Sequence, residues 1–84
     1  MGMVKVKSIT LEDGRLTRSE SGWVYTGARG TFTGSTPSEA LAKAYNVNDA
    51  EVKFLRFKDY GVKALVCIEG MCELYDVECE GGPC

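Results

Sequence analysis

Four cysteines near the end of the chain are the residues whose type and spacing most readily carry chemistry. Cys67, Cys72, Cys79 and Cys84 follow the pattern C-x4-C-x6-C-x4-C within 18 residues. Four thiolates can bind zinc, two pairs can form disulfides, and reduced thiols can act as small core residues. The spacing alone leaves these three possibilities open. We expect reduced thiols, with Cys67 and Cys72 as small core residues and Cys79 and Cys84 exposed.

If disulfides form instead, sequential pairing is geometrically the easiest of the three connectivities that four cysteines allow. If Ile68 lies opposite Met71 in a hairpin, then Cys67 lies directly across from Cys72. Directly opposed residues of neighbouring strands lie within the reach of a disulfide. A second bond would join the two remaining cysteines. We predict no cofactor, with zinc as the one exception that the cysteines allow.

The chain contains no histidine. This excludes Ser–His and Cys–His nucleophiles and every zinc motif that includes histidine. Gly30 and Gly34 precede a helix start, but they lack the spacing and the following lysine of a phosphate-binding loop. We therefore predict that the protein is not an enzyme.

The composition is typical of one small folded domain. Of the 84 residues, 44% are hydrophobic and 26% are charged, values close to the average for soluble globular proteins. No stretch is apolar enough to span a membrane, and the first residues lack the apolar region of a signal peptide. We expect a cytoplasmic protein without membrane contact, with a compact domain over residues 1–79 and a flexible tail over 80–84.

Charge is distributed unevenly along the chain. Residues 1–66 have a net charge of +3, whereas residues 67–84 carry five acids, no base and a net charge of −5. The simpler interpretation of this acidic segment is a solvated strand face, and the sharper one is a docking surface. The residues that would contact a partner protein are Glu69, Glu73, Asp76, Glu78 and Glu80.

An acidic overall balance disfavours general nucleic-acid binding, which needs a clustered basic face. Nucleic acid could still be bound by a stacking platform in which basic residues surround Trp23, Tyr25 and Phe32. The residues that would contact nucleic acid are then Lys5, Lys7, Arg15, Arg18 and Arg29. We expect the three aromatic residues to lie in the core instead.

The pattern of apolar residues and turn signals predicts an α+β fold that is mostly antiparallel sheet. Val4-Lys5-Val6-Lys7 is typical of an edge strand, with a bulge near Ser8. Asp13-Gly14 predicts a hairpin turn with Leu11 opposite Leu16. A second N-terminal hairpin follows over residues 23–33.

Thr36-Pro37-Ser38-Glu39 predicts the start of one short α-helix over residues 37–46, packed on the sheet. Thr36 can cap the helix, Pro37 suits its first position, and Glu39 completes a capping box.

A three-stranded meander is predicted over residues 52–77. If Phe57 pairs with Val62, both faces of this meander carry apolar side chains, and the single helix can cover only one of them. We expect the N-terminal hairpins to cover the second face; a partner protein could cover it instead.

These features favour a non-catalytic module that recognises another protein, or a second copy of itself, through a sheet face and the acidic hairpin. A phage-type inhibitor of a nucleic-acid-processing complex, such as an anti-CRISPR-type protein, is a special case that would present the acids to a basic groove. Two further hypotheses are a zinc or redox module based on the cysteines and a small nucleic-acid-binding protein.

Overall fold

The computed structural model describes residues 5–82 and 84. It shows an α+β fold in which seven antiparallel strands form one sheet and one helix packs against it. This confirms the predicted fold class. The elements are β1 (Val6–Thr10), β2 (Gly14–Ser19), β3 (Gly22–Gly27), β4 (Gly30–Gly34), α1 (Pro37–Tyr45), β5 (Ala50–Phe57), β6 (Gly61–Ile68) and β7 (Met71–Cys79).

The strands lie in the order β4-β3-β2-β1-β7-β6-β5. The pairing of β1 with β7 joins four N-terminal strands to the C-terminal meander. The sheet is strongly curled: Trp23 and Phe54 lie on strands five positions apart, yet their ring centroids are 6.4 Å apart. The N–H of Val52 on edge strand β5 donates to the hydroxyl of Ser38 at the start of the helix. The helix therefore lies between the two edges of the curled sheet.

The prediction that the first strand is an edge strand is wrong, because β1 lies between β2 and β7. Val4, the first residue of the predicted strand, lies outside the described residues. The predicted bulge is confirmed, since the register between β1 and β7 shifts beside Ser8. The predicted opposition of Leu11 and Leu16 is wrong. Leu16 pairs with Ile9 because Leu11 belongs to the turn.

The helix forms as its capping residues predict and is one residue shorter than expected. The hydroxyl of Thr36 accepts a hydrogen bond from the N–H of Glu39, and the Glu39 carboxylate accepts one from the N–H of Ser35. Asn46 ends the helix in the left-handed conformation, with φ of 54°. The helix packs on the sheet through its buried residues Ala40, Leu41 and Ala44.

The core lies between the helix and the inner face of the curled sheet. Its largest fully buried apolar side chains all belong to the N-terminal half, namely Tyr25, Ile9, Leu16 and Leu41. The C-terminal meander contributes smaller buried side chains, namely Val62, Ala64 and Val66.

One register in the C-terminal meander differs from the prediction. Phe57 pairs with Gly61 and not with Val62. The φ of 75° at Gly61 allows a three-residue turn between β5 and β6. A shift of one residue exchanges the two faces of a strand. It places Leu55 and Phe57 on the same outer face as Leu65.

The outer face of this meander is not covered by the N-terminal hairpins, contrary to the expectation. Those strands extend the same sheet and do not pack over it. Leu55 and Leu74 consequently keep 37% and 51% of their surface exposed.

Candidate functional site

Four large apolar side chains lie together on the outer face of the C-terminal meander. Leu65 on β6 pairs with Leu74 on β7 and with Lys53 on β5. Leu55 and Phe57 continue the same face of β5, because alternate residues of a strand point to one side. We call Leu55, Phe57, Leu65 and Leu74 the outer apolar patch. Leu55 and Leu74 are exposed, Phe57 and Leu65 are half-buried, and the lysines Lys53 and Lys63 lie opposite Leu65 and Leu55. Exposed apolar side chains grouped on one face mark interaction sites in soluble proteins.

Charged side chains lie among the members of the outer apolar patch and pair with one another. Lys63, opposite Leu55, forms an ion pair with Asp76. Lys53, opposite Leu65, places its Nζ 3.7 Å from Glu51 Oε1. The patch leucines are therefore the main feature of this surface that a partner could bury.

A disulfide joins Cys67 and Cys72 beside the outer apolar patch. The two residues pair directly across the β6–β7 hairpin, with their Cα atoms 4.0 Å apart. They lie two residues from Leu65 and Leu74 respectively, on the same face. The bond fixes the register of the two strands, and so it fixes the positions of these leucines.

The second disulfide joins Cys79 and Cys84, with Cα atoms 5.5 Å apart. The structure thus has the sequential pairing, and the expectation of reduced thiols is wrong. Cys79 forms a bridge with Gly82, and the N–H of Glu80 donates to the carbonyl of Lys5. Gly82 and Cys84, which belong to the segment 80–84 predicted as a flexible tail, are therefore both connected to Cys79 of β7. A thiolate zinc site would require both disulfides to be reduced.

A cleft of about 440 Å³ opens beside the tip of the β6–β7 hairpin. We call it the hairpin cleft. Val66 and Ile68 contribute apolar surface to it, and Tyr45 and Tyr75 contribute aromatic rings. Apolar surface with a few converging polar groups is typical of ligand sites.

One wall of the hairpin cleft is formed by a cluster around Asp13. The Tyr45 hydroxyl donates to Asp13 Oδ1 at 2.9 Å, and Arg29 Nε donates to Oδ2 at 3.0 Å. The Arg29 guanidinium also lies over the Tyr45 ring, 3.9 Å from its centroid, in cation–π geometry. Burial alone would raise the pKa of Asp13, but the hydrogen bonds from Tyr45 and Arg29 outweigh it and lower this pKa. We call these three residues the Asp13 cluster.

The facing wall carries a second pair of polar groups. The Tyr75 hydroxyl donates to Glu73 Oε2 at 2.8 Å. Burial, the bond to Glu73 and the negative charge of Glu12 together raise the pKa of Tyr75. Tyr75 therefore remains a protonated donor at neutral pH, and it holds the Glu73 carboxylate in place.

The five acids predicted to contact a partner do not form one surface. Asp76 and Glu78 point outward on β7, next to the outer apolar patch, and Glu78 accepts a hydrogen bond from Ser8. Glu73 lines the hairpin cleft on the other side of the hairpin, and Glu69 lies at the turn between the strands. Glu80, the fifth acid, follows β7.

The basic residues predicted to contact nucleic acid are dispersed. Arg18 forms an ion pair with Glu80, and Arg29 belongs to the Asp13 cluster. Tyr25, the middle aromatic residue of the predicted platform, has no exposed surface and cannot stack on a base. Of the five predicted residues, Arg18 is half-buried, and the exposed ones are Lys5, Lys7, Arg15 and Arg29.

Sequence reasoning misses the hairpin cleft. The sequence identifies Asp13 only as a turn residue and Tyr45 only as an apolar helix residue. Nothing in the local pattern shows that two turns and the helix end converge. One signal could have placed Asp13 near Arg29: Gly14 pairs with Gly27, which brings the two turns to one end of the sheet.

Comparison of the chain with protein-family models, curated proteins and solved structures finds no significant match. Within residues 5–82 and 84, no helix has both the length and the apolar character that a membrane crossing needs.

Proposed function

We propose that this protein is a non-catalytic module that recognises another protein through the outer face of its C-terminal meander. One observation carries this proposal: Leu55 and Leu74 of the outer apolar patch keep 37% and 51% of their surface exposed, and none of the described elements packs over them. The strands extend the sheet and the helix packs on its inner face. The domain's own elements therefore leave this apolar surface for a partner.

The patch leucines can supply useful binding free energy. Complete burial of a leucine side chain contributes roughly 1.5 to 3 kcal/mol. Leu74 and Leu55 retain 51% and 37% of their surface, so each has about a third to a half of that contribution still available. A few such residues at the centre of an interface carry most of its affinity.

Two acids beside the patch would select the partner. Asp76 and Glu78 point outward on β7, and Asp76 would exchange its ion pair with Lys63 for one with the partner. Charges at the margin of an interface contribute more to partner choice and association rate than to affinity. We therefore expect a partner with an apolar centre and a basic margin.

The two disulfides bear on where the protein works. Disulfides form and persist in oxidising compartments, and intracellular proteins of hyperthermophiles are the main exception. The cytoplasmic location stays a prediction, and the pairing of all four cysteines favours an oxidising environment over it.

Charge reversal beside the patch tests the proposal. The immobilised full chain captures proteins from an extract of the producing cells, and quantitative mass spectrometry compares Asp76→Lys/Glu78→Lys with the wild type. The matched control is Glu20→Lys/Asp59→Lys, which changes the net charge equally at exposed turn residues. We expect the first variant to lose the captured partner and the control to retain it. Equal capture by both variants, with both folded, would overturn the role of the acids.

A further inference from the structure

The hairpin cleft carries an excess of negative charge. Glu12, Asp13 and Glu73 contribute three carboxylates, and Arg29 contributes one guanidinium, which leaves a net charge of −2. Asp13 and Arg29 neutralise each other through a 3.0 Å ion pair. The carboxylates of Glu12 and Glu73 therefore set the sign of the potential that a ligand meets.

The remaining surface of the cleft suits an alkyl chain. Val66 and Ile68 present apolar side chains next to the Tyr45 and Tyr75 rings. A ligand with an apolar stem would bury that stem here while its charged end meets the carboxylates. Lysine and arginine side chains have this form, since they pack their stems on apolar surface and keep the charged group at a polar edge.

The carboxylate of Glu73 is positioned to receive a cation. The Tyr75 hydroxyl donates to Oε2 at 2.8 Å and so orients the group, whose second oxygen can accept from a ligand. Hydrogen bonds between an ionised donor and a carboxylate are stronger than neutral ones. Glu12 lines the same cleft and contributes a second carboxylate to its surface.

We propose that the hairpin cleft binds a lysine or arginine side chain of a protein segment, with its stem against Ile68 and its cation at the Glu73 carboxylate. This site goes beyond the proposed function, because Glu73 lies on the opposite face of β7 from Leu74. The cleft and the outer apolar patch can therefore be tested and can fail independently.

Titration with a single capped residue tests the site without a known partner. The probe is N-acetyl-lysine methylamide, and amide chemical shifts of the full, disulfide-bonded chain report binding. One side chain in an open cleft should bind with a dissociation constant that is roughly millimolar. Shifts should be confined to cleft residues such as Ile68 and Tyr75. N-acetyl-norleucine methylamide, which has the stem without the charge, should bind at least about tenfold more weakly.

Variants separate the roles of the carboxylates. Glu73→Gln keeps an acceptor for Tyr75 and removes the charge, so it should weaken the lysine probe about tenfold, and Glu12→Gln should weaken it less. Glu20→Gln at an exposed turn is the matched control and should leave the affinity unchanged. Absence of cleft shifts at saturating probe would overturn the proposal, as would equal binding of the two probes or equal affinity of Glu73→Gln and the wild type. None of these results depends on the outer apolar patch.

Discussion

The outward faces of the two halves of the sheet differ in composition. Strands β1–β4 carry mainly hydroxyl side chains outward, whereas β5–β7 carry the outer apolar patch. On the inner faces, the larger apolar side chains belong to the N-terminal half. That half buries the large core residues, whereas β6 buries valines and an alanine. The outward threonines of the N-terminal half are Thr10, Thr17, Thr26, Thr31 and Thr33.

The two halves of the sheet are also stabilised by different interactions. Polar contacts of the Asp13 cluster join the turns of the N-terminal half to the end of the helix. Both disulfides lie in residues 67–84. The C-terminal meander places its leucines outward and so gains less from the core, and the covalent bonds offset that loss.

Removal of the disulfides should have the largest effect. Both close short loops of sequence separation 5, so each should contribute about 2 kcal/mol, or about 4 kcal/mol together. Replacement of all four cysteines by serine should lower the free energy of unfolding by that amount, measured by denaturant titration. Hydrogen exchange should accelerate first in β6 and β7. The two double-serine variants, each lacking one disulfide, give the contribution of each bond separately. Hydrogen exchange that accelerates equally in both halves of the sheet would contradict the claim that the disulfides stabilise mainly the C-terminal meander.

A matched pair of leucine truncations comes next. Leu16 is completely buried on β2, whereas Leu74 is 51% exposed on β7. Leu16→Ala should cost about 3 kcal/mol of unfolding free energy, because it removes buried methyl groups and leaves a cavity, and Leu74→Ala should cost less than about 1 kcal/mol. Denaturation midpoints at equal slope give both values. Similar losses for the two variants would place Leu74 in the core and remove the contrast between the faces.

The Asp13 cluster should have the smallest effect, and it should depend on pH. The pKa of Asp13 is lower in the folded protein than its ordinary value of 3.8. Its contribution to stability is therefore present above about pH 4 and is lost as the pH falls through the folded pKa. Asp13→Asn should cost about 1 kcal/mol at neutral pH. The variant and the wild type should converge on acidification. A difference that persists in acid would show that charge on Asp13 does not stabilise the cluster.

The sequence predicts the individual helix and strands of this fold better than it predicts the order and register of the strands in the sheet. Local signals such as the capping residues Thr36 and Glu39 act over a few residues, and the helix start that they predict is confirmed. The place of β1 in the sheet depends on its pairing with β7, about seventy residues away, and no local pattern encodes that contact. The face of Leu55 depends on one turn residue, because a shift of one position reverses a strand.

One part of the candidate site could be predicted from the sequence, and another part could not. Leu65, Leu74, Cys67 and Cys72 are predicted to share one face, because the β6–β7 turn sets their register. The hairpin cleft is not predictable at this level, since Asp13, Arg29 and Tyr45 meet only when three separate elements converge.

The most direct test of the docking surface introduces one charge on each outward face. Leu74→Glu alters the outer apolar patch, and Thr26→Glu alters the outward face of the N-terminal half, where Thr26 is also exposed. Quantitative mass spectrometry compares the proteins captured by each immobilised chain, and sedimentation equilibrium detects association with a second copy. We predict that Leu74→Glu weakens partner binding at least about tenfold relative to the wild type, whereas Thr26→Glu binds as the wild type does. Equal binding by the two folded variants would contradict the proposed docking surface.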